Sequence, residues 1–289
     1  MRTMLMTVFG CAIFGGSTLL DRATAHGNAE KTVAFYYGPT PPLEDMVGID
    51  MVILEPDHVA RPEVALQLAA KRRQALFAYV SIGEINVTRN YFAQVPRQTL
   101  RTENKNWGSW IVDQTSPLWR EFLLTSIIEP LWRQGWRGFF LDTLDSYQLF
   151  AKTDLERERQ RQALVETIKY LKARHPDANL IFNRGFELLP DVSQFVHAVA
   201  AESLYRGYDA VKGQYGQVTP SDRAWLTAQL ANARDRYGLP AIAIDYVSPT
   251  GPDTCAETMN TASLIRAAGF IPWVTDVTLN SLVQLRCPS

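Results

Sequence analysis

In Phe139-Phe140-Leu141-Asp142-Thr143-Leu144-Asp145, two aromatic residues and a leucine lead straight into an aspartate, and a second aspartate follows three residues later. An unbroken apolar run of this kind suits a strand buried on both faces, and the first acid falls where such a strand would emerge. Gly135 and Gly138 precede the run, and Asp145-Ser146 offers a helix cap after it. Taken alone, Asp142 reads equally well as a capping residue or as a functional carboxylate.

The same pattern recurs along the chain. Thr32–Gly38 and Asp50–Asp57 are the first two β-rich runs, Ala75–Glu84 the third, and the opening stretch the fourth. Asn179–Gly185, Phe195–Ser203, Ala241–Tyr246 and Gly269–Asp276 complete eight. Between them lie segments with helical spacing and helix punctuation. Pro62–Arg73 ends in basic residues, and Ser116-Pro117 opens a helix in which Pro130 predicts a kink. Thr153-Asp154-Leu155-Glu156 has the form of a capping box, and Thr219-Pro220 opens a helix closed at Gly238. A further helix runs from about Glu257 to Ala268. Strands alternating with helices in a chain of this length predict an α/β fold, a (β/α)8 TIM barrel in a single domain. The first-to-second and fifth-to-sixth links are short, so some helices must be reduced. An open doubly wound sheet is the alternative, weakened because no Gly-rich phosphate loop follows the first strand. The polar and aromatic segment 86–113 is predicted as a long loop serving a site.

The N-terminus reads separately. An apolar run from Met4 to Leu20 is followed by Ala23-Thr24-Ala25, a small-x-small cleavage signal, so residues 1–25 are expected to be a signal peptide and 26–289 the barrel domain. The run is short and broken by glycines, which disfavours a membrane anchor, and the expected destination is periplasmic or extracellular. Taking Arg2, Arg22 and Asp21 from 29 basic and 30 acidic residues leaves 27 and 29, a balance unlike that of a nucleic-acid binder. Cys255 and Cys287 remain in the exported chain, either as a disulfide or as separate thiols. No HxH or HExxH spacing occurs, and no metal or other cofactor is expected. His197 reads as a core histidine.

In a barrel of this type the C-terminal strand ends converge on one face. Those positions hold Tyr36 and Tyr37, Glu55 and Asp57, Ser81 and Glu84, Asp142 and Asp145, Asn183 and Arg184, Glu202, Asp245 and Asp276. Nearly every strand delivers a carboxylate, giving an acidic rim on an almost neutral protein and hence a field that attracts cations. Paired acids among Tyr and Trp suit glycoside hydrolysis, in which one carboxyl group protonates the leaving oxygen while another attacks or activates water.

Tyr79–Glu84, Gly138–Tyr147, Ile181–Glu187 and Ala201–Leu204 resemble, in order, the motifs of the endo-α-1,4-polygalactosaminidases, glycoside hydrolase family 114. The likeness extends over Ala243–Tyr246 and Phe270–Asp276, and is nearest to members acting on the Pel exopolysaccharide of bacterial biofilms. It implies a barrel that cleaves galactosamine and N-acetylgalactosamine polymers, with a cationic polysaccharide as its partner. It implies Asp142 as nucleophile and Glu202 as acid/base, the strand positions used by other retaining α-glycosidases of this barrel type. On that reading Glu202 is expected to be protonated in the free enzyme and Asp142 ionised. Tyr36, Glu84, Asp145, Tyr147, Asn183, Arg184, Tyr205, Asp245, Tyr246, Trp273 and Asp276 are the expected substrate contacts. Longer members continue into a deacetylase region; this chain stops soon after its eighth strand, so no deacetylase activity is expected. A noncatalytic polysaccharide-binding protein and an α-glycosidase for another sugar are the competing readings.

Overall fold

The computed structural model describes residues 31–287, so the expected signal peptide and the proposed start at His26 lie outside the described residues. Eight parallel strands follow one another in chain order around a nearly closed barrel: β1 Val33–Tyr36, β2 Met51–Leu54, β3 Ala75–Ser81, β4 Gly138–Asp142, β5 Asn179–Asn183, β6 Val196–Glu202, β7 Ala241–Tyr246 and β8 Ile271–Thr275. The barrel expectation holds. At the seam between β1 and β8, the Tyr37 N–H donates to the Leu279 carbonyl at 2.7 Å.

The helices are those that the punctuation marks. They are α1 Pro62–Lys71, α2 Pro117–Phe122, α3 Glu129–Arg133, α4 Asp154–Arg174, a one-turn α5 Leu189–Val192, α6 Pro220–Tyr237, α7 Thr254–Ala267 and α8 Val283–Arg286. The Thr153 hydroxyl accepts from the Glu156 N–H, and the Glu156 carboxylate accepts from the Thr153 N–H, completing the capping box of α4. Between α2 and α3 the chain does not simply kink. It widens into a π-helical turn, Leu123–Ile128, in which the Glu129 N–H reaches back to the Leu124 carbonyl. Pro130 has no N–H to give to the ladder at the end of this turn. The β1–β2 and β5–β6 links carry only short helical turns, as their lengths require.

Two additions above the barrel were not legible as elements. Segment 86–113 is not a plain loop: Glu84–Asn86, Leu100–Asn104 and Ser109–Val112 form a three-stranded antiparallel sheet on the β3 exit. After β6, Arg206–Asp209 and Gln214–Gln217 form an antiparallel hairpin. Both are built of strands of only three to five residues, too short to show a periodicity of their own.

Cys255 and Cys287 form a disulfide between residues 32 apart in sequence, tying the start of α7 to the segment after α8. A closed loop of that length contributes about 3–4 kcal/mol in the chain-entropy picture. Replacing both cysteines by alanine is expected to lower the midpoint of thermal unfolding by about 10 °C. Calorimetry of the two forms checks this, and equal midpoints would show that the bridge adds nothing to stability. Among the described residues, no helix is long and apolar enough to cross a membrane.

Candidate active site

Side-chain direction alternates along a strand, so only one residue parity from each barrel strand faces the interior. At the C-terminal mouth the inward set comprises Tyr37, Glu55, Tyr79, Ser81, Asp142, Asn183, Glu202 and Tyr246. These side chains line one cleft of about 1380 Å³.

Asn183 stands at its floor. Its side-chain nitrogen donates to Asp142 Oδ1 at 2.8 Å and to Glu202 Oε1 at 2.7 Å. One nitrogen therefore holds an oxygen from each acid, and these two oxygens cannot be more than about 5.5 Å apart, the combined length of the two bonds. Each carboxylate has a tyrosine on its other oxygen: Tyr79 donates to Asp142 Oδ2 at 2.7 Å, and Tyr246 donates to Glu202 Oε2 at 2.5 Å. The Tyr37 ring packs edge-on against Tyr79 with 5.0 Å between centroids.

The residues following the three central side chains share a backbone signature. Thr143, Arg184 and Ser203 have φ values of 63°, 58° and 66°, a left-handed conformation that side chains other than glycine adopt at a cost. At Thr143 the strain is held by local bonds. Its Oγ1 accepts from the Gly83 N–H at 2.8 Å, contacts the Ser81 hydroxyl at 2.8 Å and donates to the Asp142 carbonyl at 2.6 Å. Gly83 permits this approach, because a Cβ there would lie 1.9 Å from the Thr143 carbonyl oxygen. The turn after Asp142 is thus fixed by β3.

Burial raises the Asp142 carboxyl to about 6, with the charge of Glu202 adding to the effect and the bonds from Tyr79 and Asn183 opposing it. Asp142, expected as the ionised partner of the pair, is thus a raised acid. A carboxylate in contact with another carboxylate, away from bulk water, holds its proton to higher pH.

The remaining expected contacts divide. Arg184 and Asp145 line the same cleft. Asp145 begins a 3-10 turn but makes no side-chain cap bond to it, and burial raises its pKa while the Arg184 charge opposes the rise. Glu84 also lines the cleft, 5 % exposed, with its oxygens taken by Asn104 at 3.1 Å, Ser146 at 2.6 Å and the Ser109 hydroxyl. Glu55 is held in a two-pronged ion pair by Arg89, at 2.6 and 2.7 Å, and the same guanidinium reaches Asp57 at 2.8 Å.

The other six face away from the cleft or lie beneath it. Tyr36 has the opposite parity to Tyr37 and lies over Gly38 and Asn280. Tyr147 is buried, with its hydroxyl on Glu187 at 3.0 Å. Tyr205 turns outward under the Arg223 guanidinium. Asp245, 0 % exposed, accepts the backbone N–H groups of Leu204, Tyr205 and Arg206 at 2.7 to 2.8 Å and so anchors the loop after Glu202. Trp273, the register partner of Ile244, is packed in the barrel interior at 0 % exposure. Asp276 binds the N–H groups of Thr278 and Asn280, closing the turn after β8.

Sequence reasoning left Tyr37, Tyr79, Arg89, Trp107 and Tyr208 off the expected contacts, and all five line the cleft. For Tyr79 a signal existed: it shares the parity of Ser81 on the same strand. Among the described residues, no group of three or more His, Cys, Asp or Glu could hold a metal ion.

A barrel whose mouth holds two carboxylates on one bridging amide, flanked by tyrosines in an open acidic cleft, has the architecture of a glycoside hydrolase. The chain belongs to glycoside hydrolase family GH114, whose model matches residues 21–288. The glycoside hydrolase domain of PelA from Pseudomonas aeruginosa is 36% identical, with a TM-score of 0.78 over 87% of this chain and 96% of that one. Ega3 from Aspergillus fumigatus, solved in complex with galactosamine, is 14% identical with a TM-score of 0.62 over 86% and 91% of the two chains, a likeness of fold. An uncharacterised protein of Methanocaldococcus jannaschii is 24% identical over 230 residues, 73% of this chain. The chain spans 64% of the length of that protein and 44% of a second curated relative from Thermotoga maritima.

Proposed function

We propose that the enzyme is an exported endo-acting hydrolase of α-1,4-linked galactosamine and N-acetylgalactosamine polymers, and that it works with retention of anomeric configuration. One observation carries the mechanism: Asp142 and Glu202 are held on the two hydrogens of the Asn183 amide, and their bridged oxygens lie within about 5.5 Å of each other. That spacing supports direct attack by one acid over the wider separation, roughly 6.5–9.5 Å, of an inverting pair.

In the first step an Asp142 oxygen bonds to the anomeric carbon as the glycosidic C–O bond breaks. The bonding pair stays on the leaving oxygen, which takes the Glu202 proton. In the second step Glu202 removes a proton from water, the water oxygen bonds to the same carbon, and Asp142 leaves. Asn183 and the two tyrosines hold both acids in position through these exchanges. Asp57, Glu84, Asp142 and Asp145 around an open cleft suit a chain bearing ammonium groups, in agreement with the galactosamine bound to the fold relative Ega3.

The nucleophile must be ionised to attack, so on the acid side kcat/KM is expected to rise about tenfold per pH unit up to about 6. A pH profile with no acid limb between 5 and 7 would contradict the role given to Asp142. Substrate class is tested by incubating partly deacetylated α-1,4-polygalactosamine, and separately an α-1,4-glucan, with the purified protein. Reducing ends and a broad ladder of oligosaccharides are expected from the first polymer only. Monomer as the sole early product would exclude endo action, and no release would favour a binding protein.

A further inference from the structure

A second cavity, of about 540 Å³, opens from the cleft beneath the hairpin Arg206–Gln217 and against the start of α6. Glu202, Ser203, Arg184 and Tyr208 line both spaces, whereas Asp142 lines only the main cleft. We propose that this side cavity is the leaving-group subsite and selects an N-acetylated residue, while the main cleft holds the residue that is cleaved as a free amine. The inference rests on the preceding assignment of Asp142 as nucleophile and Glu202 as acid/base. A nucleophile faces the sugar whose anomeric carbon it attacks, and the acid faces the oxygen of the sugar that departs. A cavity that includes the acid but not the nucleophile therefore lies on the departing side.

The two spaces differ in charge. In the main cleft, Glu84, Asp142 and Asp145 are among the lining residues, and Glu55 with Asp57 is only partly balanced by Arg89. In the side cavity, Lys212 is paired with Asp209 at 2.8 Å, and Asp222 takes a hydrogen bond from the Thr219 hydroxyl at the mouth of α6. Glu202 is neutral when it acts as the acid. Arg184 and Lys212 are matched in number by Asp209 and Asp222, so the side cavity lacks the excess of carboxylates that draws an ammonium into the main cleft. A neutral acetamide loses nothing in such a space.

The walls also fit an acetylated sugar. Trp225, packed against the Phe186 ring at 6.2 Å between centroids, is 50 % exposed and lines the cavity, where it offers a pyranose an aromatic surface. Val218 and Leu226 provide an apolar surface for an acetyl methyl group.

The test is the composition of the two new chain ends. Partly acetylated α-1,4-polygalactosamine of about half acetylation is cut in H₂¹⁸O, which marks the reducing end created at each cleavage, and the oligosaccharides are sequenced by mass spectrometry. Wild type is expected to give reducing ends enriched several-fold in galactosamine and new non-reducing ends enriched several-fold in N-acetylgalactosamine. Trp225→Ala is expected to bring the non-reducing ends towards the bulk composition and leave the reducing-end preference in place. Cleavage with both ends at bulk composition, or with the opposite polarity, overturns the inference and leaves the proposed function standing. No cleavage overturns both. The wild-type ends decide the matter even where Trp225→Ala does not fold.

Discussion

Asp142→Asn is expected to reduce polymer cleavage by more than about 10⁴-fold without loss of fold. The substitution keeps shape and an acceptor for Tyr79 or Asn183, each of which donates to the wild-type carboxylate at 2.7 to 2.8 Å. It removes the negative charge that attacks the anomeric carbon. Burial raises the Asp142 pKa to about 6, so the ionised carboxylate is stabilised less by the folded protein than by water. The sign for stability follows. Between the ordinary value of 3.8 and about 6 the folded state binds more protons at this site than the unfolded state, so the contribution of Asp142 to stability falls as pH rises through that window. The neutral Asn variant lacks this loss, and its unfolding midpoint at pH 7 is expected to equal or exceed that of wild type. Calorimetry and reducing-end release on the same samples separate a dead enzyme from an unfolded one. A folded Asp142→Asn protein with wild-type activity would remove this residue from the mechanism.

Glu202→Gln is expected to show a different loss. With the sugar polymer, whose leaving oxygen needs a proton, the rate should fall by about 10²–10⁴-fold. With an aryl α-galactosaminide bearing an acidic phenol, bond cleavage no longer depends on that proton, so the first step should survive. The second step still lacks its base. The covalent intermediate should then accumulate, visible as a burst of phenol, and azide should restore turnover by attacking without needing deprotonation. Equal losses on both substrates, with no burst and no azide rescue, would contradict the acid/base role. Tyr246 and Asn183 donate to different oxygens of this carboxylate, and the Gln side chain, with one carbonyl oxygen, can accept only one of those bonds.

The contrast between what the sequence disclosed and what it did not follows strand geometry. Eight apolar runs, six of them ending in acids, made the barrel and its C-terminal mouth legible, because a strand covered on both faces cannot avoid a continuous apolar stretch. The same feature hid side-chain direction. In strands buried on both faces the alternation of polar and apolar residues is absent, so Tyr36 could not be told from Tyr37, nor Asp245 from Tyr246. The structure puts Tyr37 and Tyr246 in the cleft, with Tyr36 and Asp245 behind it. Asp245 and Asp276 illustrate a second limit: an acid at a strand exit can bind backbone N–H groups of the next loop as readily as a substrate. Asn183 was legible as a strand-end polar residue, but its bridging of two acids depends on the stagger of β4, β5 and β6, which no local pattern encodes.

The central claim, attack by Asp142 on an anomeric carbon held beside Glu202, is tested most directly by proton NMR of the first product released from α-linked polygalactosamine, recorded before mutarotation. Retention predicts that the α-anomer appears first and the β-anomer grows in later. A β-anomer as the first product would contradict the double displacement and with it the role of Asp142 as nucleophile.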